Sequence, residues 1–129
     1  MLIFGHHLLS SEKLYHVNSI EAIHNTPANS TLLFTYNDEV MELINFAKEN
    51  MLNFAVDTNS LKEAIFCENL DAKYILVKQD ISKKVQTAAD NYVFDAKVLV
   101  HIQGEDEIEN LVENAIDGVI FQEAIIKIS

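Results

Sequence analysis

Residues 53–77 read NFAVDTNSLKEAIFCENLDAKYILV, and the reading of this stretch decides the fold. Asn53 to Val56 is a short apolar run of strand character, and Lys73 to Val77 is a second. Between them Ser60 offers a hydroxyl to the backbone, and Glu63, three residues on, reaches back in a capping box, so a helix opens there. Leu61, Ala64 and Ile65 form its inward stripe. Strand, helix, strand is the βα unit, and strands that are continuously apolar rather than alternating are those of a parallel sheet covered on both faces.

The same rhythm runs outward in both directions at roughly 20 to 24 residues per unit. Thr31 to Thr35, Lys97 to Ile102 and Gly118 to Phe121 supply three more strands. Val40, Leu43, Ile44, Ala47 and Met51 fall on one stripe of a helix that starts near Asn37 or Asp38. Asp80 or Ser82 caps a third helix with Ile81, Val85, Ala88, Ala89 and Tyr92 inward. Gly104 precedes a fourth, with Ile108, Leu111, Val112 and Ala115 inward.

The first thirty residues are less regular. Leu2 to Phe4 and Lys13 to Val17 have strand character, and Ser19 to Asn25 is a short helix ending before the single proline, Pro27. Ala124 to Ile128 reads as a last strand at a sheet edge, where free backbone groups invite pairing with a second copy in a homodimer. With 129 residues judged too few for a closed eight-stranded barrel, the expectation is one α/β domain over residues 1–129. Its architecture is expected to be an open three-layer sandwich, Rossmann-like and doubly wound, with a mostly parallel sheet of about five or six strands.

Composition narrows the function. Apolar residues make up 49% of the chain, enough for a packed core. Nine basic residues against 20 acidic ones give a formal charge of -11, which repels phosphate backbones and anionic lipid, so neither nucleic acid nor membrane is an expected partner. A lone cysteine, Cys67, forms no disulfide within the chain, and no leader or bilayer-length apolar run is present, so a soluble cytoplasmic protein is expected.

Two segments carry a resemblance. Val56-Asp-Thr-Asn-Ser-Leu-Lys-Glu-Ala with Leu70-Asp-Ala-Lys-Tyr-Ile-Leu-Val resembles a βα unit of the phosphate-binding barrel enzymes, particularly the keto-acid aldolases related to 2-keto-3-deoxy-6-phosphogluconate aldolase. Ala115 to Ile128 is similar to the strand-end segment of tryptophan synthase α-type barrels. Together these cover about half of the chain. The resemblance implies shared βα architecture. It does not bring the chemistry with it, because Gln122 and Glu123 stand where the family has phosphate-binding glycines, and Lys78 lies about two positions beyond the family's Schiff-base lysine.

In parallel α/β folds ligands gather at the carboxyl ends of the strands. That rim would present Thr35 to Asp38, Asp57 to Asn59, Lys78 to Asp80, His101, Gln103 and Gly104, then Gln122 and Glu123. Such polar residues also serve simply as helix caps. Asp57 beside Lys78 resembles the acidic pocket of response-regulator receiver domains, but the acidic pair after a first strand and the threonine strand end are missing. Neither a GxxxxGK[ST] loop, a GxGxxG turn nor a glycine-flanked serine elbow occurs, so no nucleotide cofactor or serine hydrolase is expected. His6, His7, His16, His24 and His101 lack metal-ligand spacing, although His6 and His16 would meet if the first two strands formed a hairpin. Cys67 reads as a packing residue.

The leading expectation is a non-catalytic binding or interaction module that takes a small polar metabolite or a protein partner, without cofactor or metal. The alternative is a lyase or isomerase acting on a small keto acid or sugar derivative, with Lys78 as amine or acid and Asp57 or His101 as proton shuttle. A third is a sensor that binds a metabolite without changing it.

Overall fold

The computed structural model describes residues 1–129. Eight strands form one sheet: β1 (Leu2–Phe4), β2 (Leu14–His16), β3 (Thr31–Thr35), β4 (Phe54–Asp57), β5 (Tyr74–Val77), β6 (Lys97–Ile102), β7 (Gly118–Phe121) and β8 (Ile125–Lys127). Five helices connect them: α1 (Ile20–Ile23), α2 (Val40–Glu49), α3 (Leu61–Asn69), α4 (Gln79–Asn91) and α5 (Ile108–Glu113). The strand order is β1-β7-β6-β5-β4-β3-β2-β8, and every pairing is parallel. No helix is long and apolar enough to cross a membrane.

The α/β class and the parallel sheet match expectation, but the open three-layer sandwich of five or six strands does not. A doubly wound sheet reverses its strand order partway, which sends helices to both faces. Here β3 to β7 lie side by side in chain order, so crossovers of one hand keep their helices on one face. All five helices contribute to a single apolar cluster with Leu32, Phe34, Phe54, Val56, Ile75, Val77, Val98, Val100 and Val119 of the strands. The opposite strand face carries a smaller cluster without α-helical members: Phe4, Leu14, Leu33, Ala55, Tyr74, Leu76, Leu99 and Ile120, joined by Ala124. The strands are only three to six residues long, which is how eight of them fit in 129 residues.

The second face is concave, and a chain-reach argument shows why. Only Gln122–Ala124 separate β7 from β8, yet six strand-to-strand steps lie between them in the sheet. Flat, those steps would span about 29 Å at about 4.8 Å each. The chain from Phe121 to Ile125 reaches about 14 Å at most. The sheet therefore curls into a half-barrel, and its ends approach: a Cβ at Gly5, whose φ is +93°, would stand 2.9 Å from the Ala124 backbone nitrogen. Across the hollow the Phe4 and Tyr74 rings meet edge to face at 5.2 Å.

Helix beginnings follow the sequence better than helix ends. The Ser60 hydroxyl accepts from the Glu63 N–H at 3.2 Å, while the Glu63 carboxylate takes the Asn59 N–H at 2.8 Å. α2 begins at Val40, because Asn37 uses its side chain to accept the Glu39 N–H in a turn before the helix. Neither Asp80 nor Ser82 caps α4, which starts at Gln79 after Lys78. Met51, Asp71, Val93 and Ala115, one after each of α2 to α5, take positive φ (54°, 70°, 52° and 54°). At each of these helix ends a backbone N–H just beyond bonds back into the last turn: Leu52 to Ala47, Ala72 to Cys67, Phe94 to Ala89 and Ile116 to Leu111. The helices thus stop early. Met51 is 92% exposed and Tyr92 78%, Val112 and Ala115 also face out, and Ser82 and Gln86 take inward positions on α4.

Candidate functional site

Strand alternation fixes what faces the hollow. Leu14, Leu33, Ala55 and Leu99 point inward, so the residues two further along, His16, Thr35, Asp57 and His101, point the same way at the carboxyl ends. A polar layer therefore sits on top of an apolar one. Within it are two hydrogen-bonded pairs.

His101 Nε2 lies 3.0 Å from Asp57 Oδ1, with the side chains 27% and 35% exposed. An ionised carboxylate only accepts, so Nε2 carries the proton and Nδ1 holds the lone pair. The carboxylate thus orients the ring and favours any positive charge that develops on it. His16 Nε2 lies 2.9 Å from Thr35 Oγ1. Burial lowers the pKa of His16; Asp57 pulls the other way and Lys127 adds to the lowering, so the ring is neutral at pH 7.

A cleft of about 720 Å³ opens over the Asp57–His101 side of this rim, lined by Asp57, Lys78, Gln79, His101, Ile102, Gln103, Glu107, Gln122 and Glu123; His16 and Thr35 lie outside its lining. Only Ile102 among them is apolar. Its far wall is tied together by Glu107, whose carboxylate accepts the Gly104 N–H at 2.7 Å and the Gln103 N–H at 2.8 Å and also receives the Gln79 amide. Those two backbone donors hold its pKa below the usual carboxylate range, with the Gln79 bond adding to them against the cost of desolvation. A smaller hollow of about 310 Å³ near Pro27 and Phe46 has His24 as its single ionisable lining residue.

All three sequence-derived candidates, Asp57, Lys78 and His101, line the same cleft. The partner of Asp57 is His101, from two strands away, and Lys78 forms no ion pair. Lys78 is exposed, immediately before the first turn of α4. The sequence reading weighed His16 only as a hairpin partner of His6, because Lys13 to Val17, though seen as a strand, had no position in the sheet. β2 lies between β3 and β8, not beside β1, so His6 and His16 do not meet in a hairpin. His6 instead contacts Glu105 at 2.7 Å and stacks on His7. Cys67 is buried in α3, and burial, with a smaller contribution from Glu63, pushes its thiol up to about 12. No family model matches the chain, and no curated protein matches it in sequence.

Proposed function

We propose that this protein binds a small, polar, uncharged metabolite in the cleft at the carboxyl ends of β4 to β7. The observation that supports this most is the Asp57–His101 pair, held at 3.0 Å on the wall of a cleft with one apolar lining residue. A cleft so lined offers amide groups of Gln79, Gln103 and Gln122, one ammonium and one oriented imidazole. That inventory suits hydroxyl and carbonyl groups. Glu107, Glu123 and Asp57 oppose a phosphate or a second carboxylate, and the turn Gln122–Ala124 after β7 has no glycine to let backbone N–H groups cradle one.

A second reading, in which the bound molecule is turned over by proton transfer, is favoured by the free Nδ1 of His101 opposite its carboxylate-bound Nε2. Thermal unfolding against a panel of unphosphorylated sugars, keto acids, sugar phosphates, nucleotides and divalent cations tests the binding reading. A ligand at a hundredfold excess over its Kd adds about 2.7 kcal/mol of stability. The expected result is a shift with uncharged hydroxylated compounds that disappears in Asp57→Asn. A shift only with phosphorylated compounds, or one untouched by that substitution, would overturn it.

A further inference from the structure

We propose that the cleft hydrolyses uncharged hydroxylated lactones, with His101 activating water and the Lys78 ammonium receiving the charge that develops on the lactone carbonyl oxygen. This rests on the reading of the cleft as a ligand site and names the compound class and the reaction.

Both groups belong to the cleft lining, and the sheet sets them side by side. Val77 and Val100 are register partners on β5 and β6, and both sit in the helix-side cluster. The next residues on the two strands are Lys78 and His101. The same pairing carried one step further turns both to the concave side, about 5 Å apart at their roots. Lys78 keeps extended backbone (φ -81°, ψ 163°), so strand alternation still holds there. Its ammonium is exposed and in no ion pair, although Asp57, Glu107 and Glu123 line the same cleft. The neighbouring imidazole has Nε2 committed to Asp57 at 3.0 Å, which leaves a lone pair on Nδ1 without a partner in the chain. Asp57 lies toward β4, so Nδ1 is turned away from it, to the side where Gln122 and Glu123 after β7 continue the lining.

Three features select the reaction. No hydroxyl or thiol side chain lines the cleft, so a base there acts on water rather than on a protein nucleophile. A free ammonium beside that base is the counter-charge that a tetrahedral intermediate needs at its oxygen. The carboxylates of Glu107 and Glu123 admit an uncharged lactone but oppose the hydroxy-carboxylate it becomes, so the charges that exclude anionic ligands also favour release of the product. Gln79 is engaged by Glu107, and the amides of Gln103 and Gln122 are left for the hydroxyl groups of the ring.

The step balances with water alone. Nδ1 takes a proton from water as the water oxygen bonds to the carbonyl carbon, and the carbonyl π pair moves to the oxygen beside Lys78. Asp57, in contact with the ring, offsets the repulsion between the imidazolium so formed and the ammonium. When the carbonyl re-forms, the ring C–O bond breaks, its electron pair goes to the leaving oxygen, and Nδ1 returns the proton there. One lactone and one water become one hydroxy-carboxylate and one proton, which passes to solvent.

The test is acid release from D-glucono-1,5-lactone by the full-length protein in a pH-stat at pH 6, against free imidazole at equal concentration. The expected rate exceeds that blank by about a hundredfold or more. In His101→Gln it falls to the blank. In Lys78→Met kcat falls about tenfold to a hundredfold, and Lys78→Arg, which keeps the cation, retains more activity. Lys78 is exposed, so both of its variants keep the wild-type circular dichroism spectrum and melting temperature, and their loss of rate is not loss of fold. The same lactone carrying a phosphate on its primary hydroxyl is hydrolysed more slowly. Acid release at the imidazole rate, a preference for the phosphorylated lactone, or a kcat indifferent to Lys78→Met overturns the proposal. If D-glucose raises thermal stability while acid release stays at the blank, binding stands and hydrolysis fails; if neither effect occurs, both readings fail.

Discussion

The two ends of the concave face each hold a carboxylate, and the contrast between them separates structure from function. At the amino-terminal end Glu12 receives the Tyr74 hydroxyl, the Thr31 hydroxyl at 2.8 Å and the Lys73 ammonium at 3.4 Å. Burial works against its charge, but the Tyr74 and Thr31 bonds and Lys73 together outweigh it and hold the Glu12 pKa below the usual range. Burial, the hydrogen bond to Glu12 and its charge raise that of Tyr74. Three donors on one carboxylate make a latch between β2, β3 and β5. At the other end Asp57 has one partner, and that partner keeps a free nitrogen. A saturated carboxylate holds the fold, and an unsaturated one at an open rim can meet a ligand.

The apolar layer between the two ends bears the most weight. Leu99 is fully buried on the concave face, and Leu99→Ala is expected to cost about 3 to 4 kcal/mol in urea unfolding. A loss under about 1 kcal/mol would show that the hollow is not packed. At the latch, Glu12→Gln is expected to cost about 2 kcal/mol, since hydrogen bonds to a charged group are weakened while their donors stay in place.

The latch also sets a pH dependence. Because folding lowers the Glu12 pKa, its contribution is complete above the unfolded value of about 4.5 and is lost as pH falls through the folded one. Because folding raises the Tyr74 pKa, its contribution is complete below about 10 and is lost as pH rises through the folded value. Stability curves of the wild type and Glu12→Gln should therefore converge in acid, and a constant gap from pH 6 to pH 2.5 would remove Glu12 from the account.

Smaller effects lie outside the hollow. Val93 is a β-branched residue at φ 52° and largely exposed, so Val93→Gly relieves backbone strain that exceeds the added unfolded-state entropy; a gain of about 0.5 to 1 kcal/mol is expected by thermal or urea unfolding. Smallest of all, Asp57→Asn should leave the stability of the unliganded protein within about 0.5 kcal/mol. A large loss there would make Asp57 a second latch and erase the contrast.

What the sequence made legible follows the range of the forces involved. The strands from Thr31 to Phe121 could be placed because a parallel strand covered on both faces is apolar along its length, a local property. The curl was not legible, because it depends on β2 and β8 pairing at one end while β1 joins β7 at the other. Helix ends were overextended at Met51, Tyr92 and Ala115, since apolar residues in helical register at or next to a left-handed turn continue the pattern without continuing the helix, and Val112, within α5, faces out. At the site, Asp57 and His101 could be found as polar strand ends, but their pairing joins residues 44 apart. His16 was hidden because its value comes from its neighbour Thr35, on a strand it meets only in the folded sheet.

The most direct measurement is a long-range proton–nitrogen NMR spectrum of the histidine side chains at pH 7, taken for the wild type and Asp57→Asn. The account predicts that His101 carries its proton on Nε2 with a free lone pair on Nδ1, and that Asp57→Asn, whose amide can donate as well as accept, removes this fixed tautomer preference. A wild-type His101 ring with its single proton on Nδ1, or a tautomer signal that Asp57→Asn leaves unchanged, would contradict it.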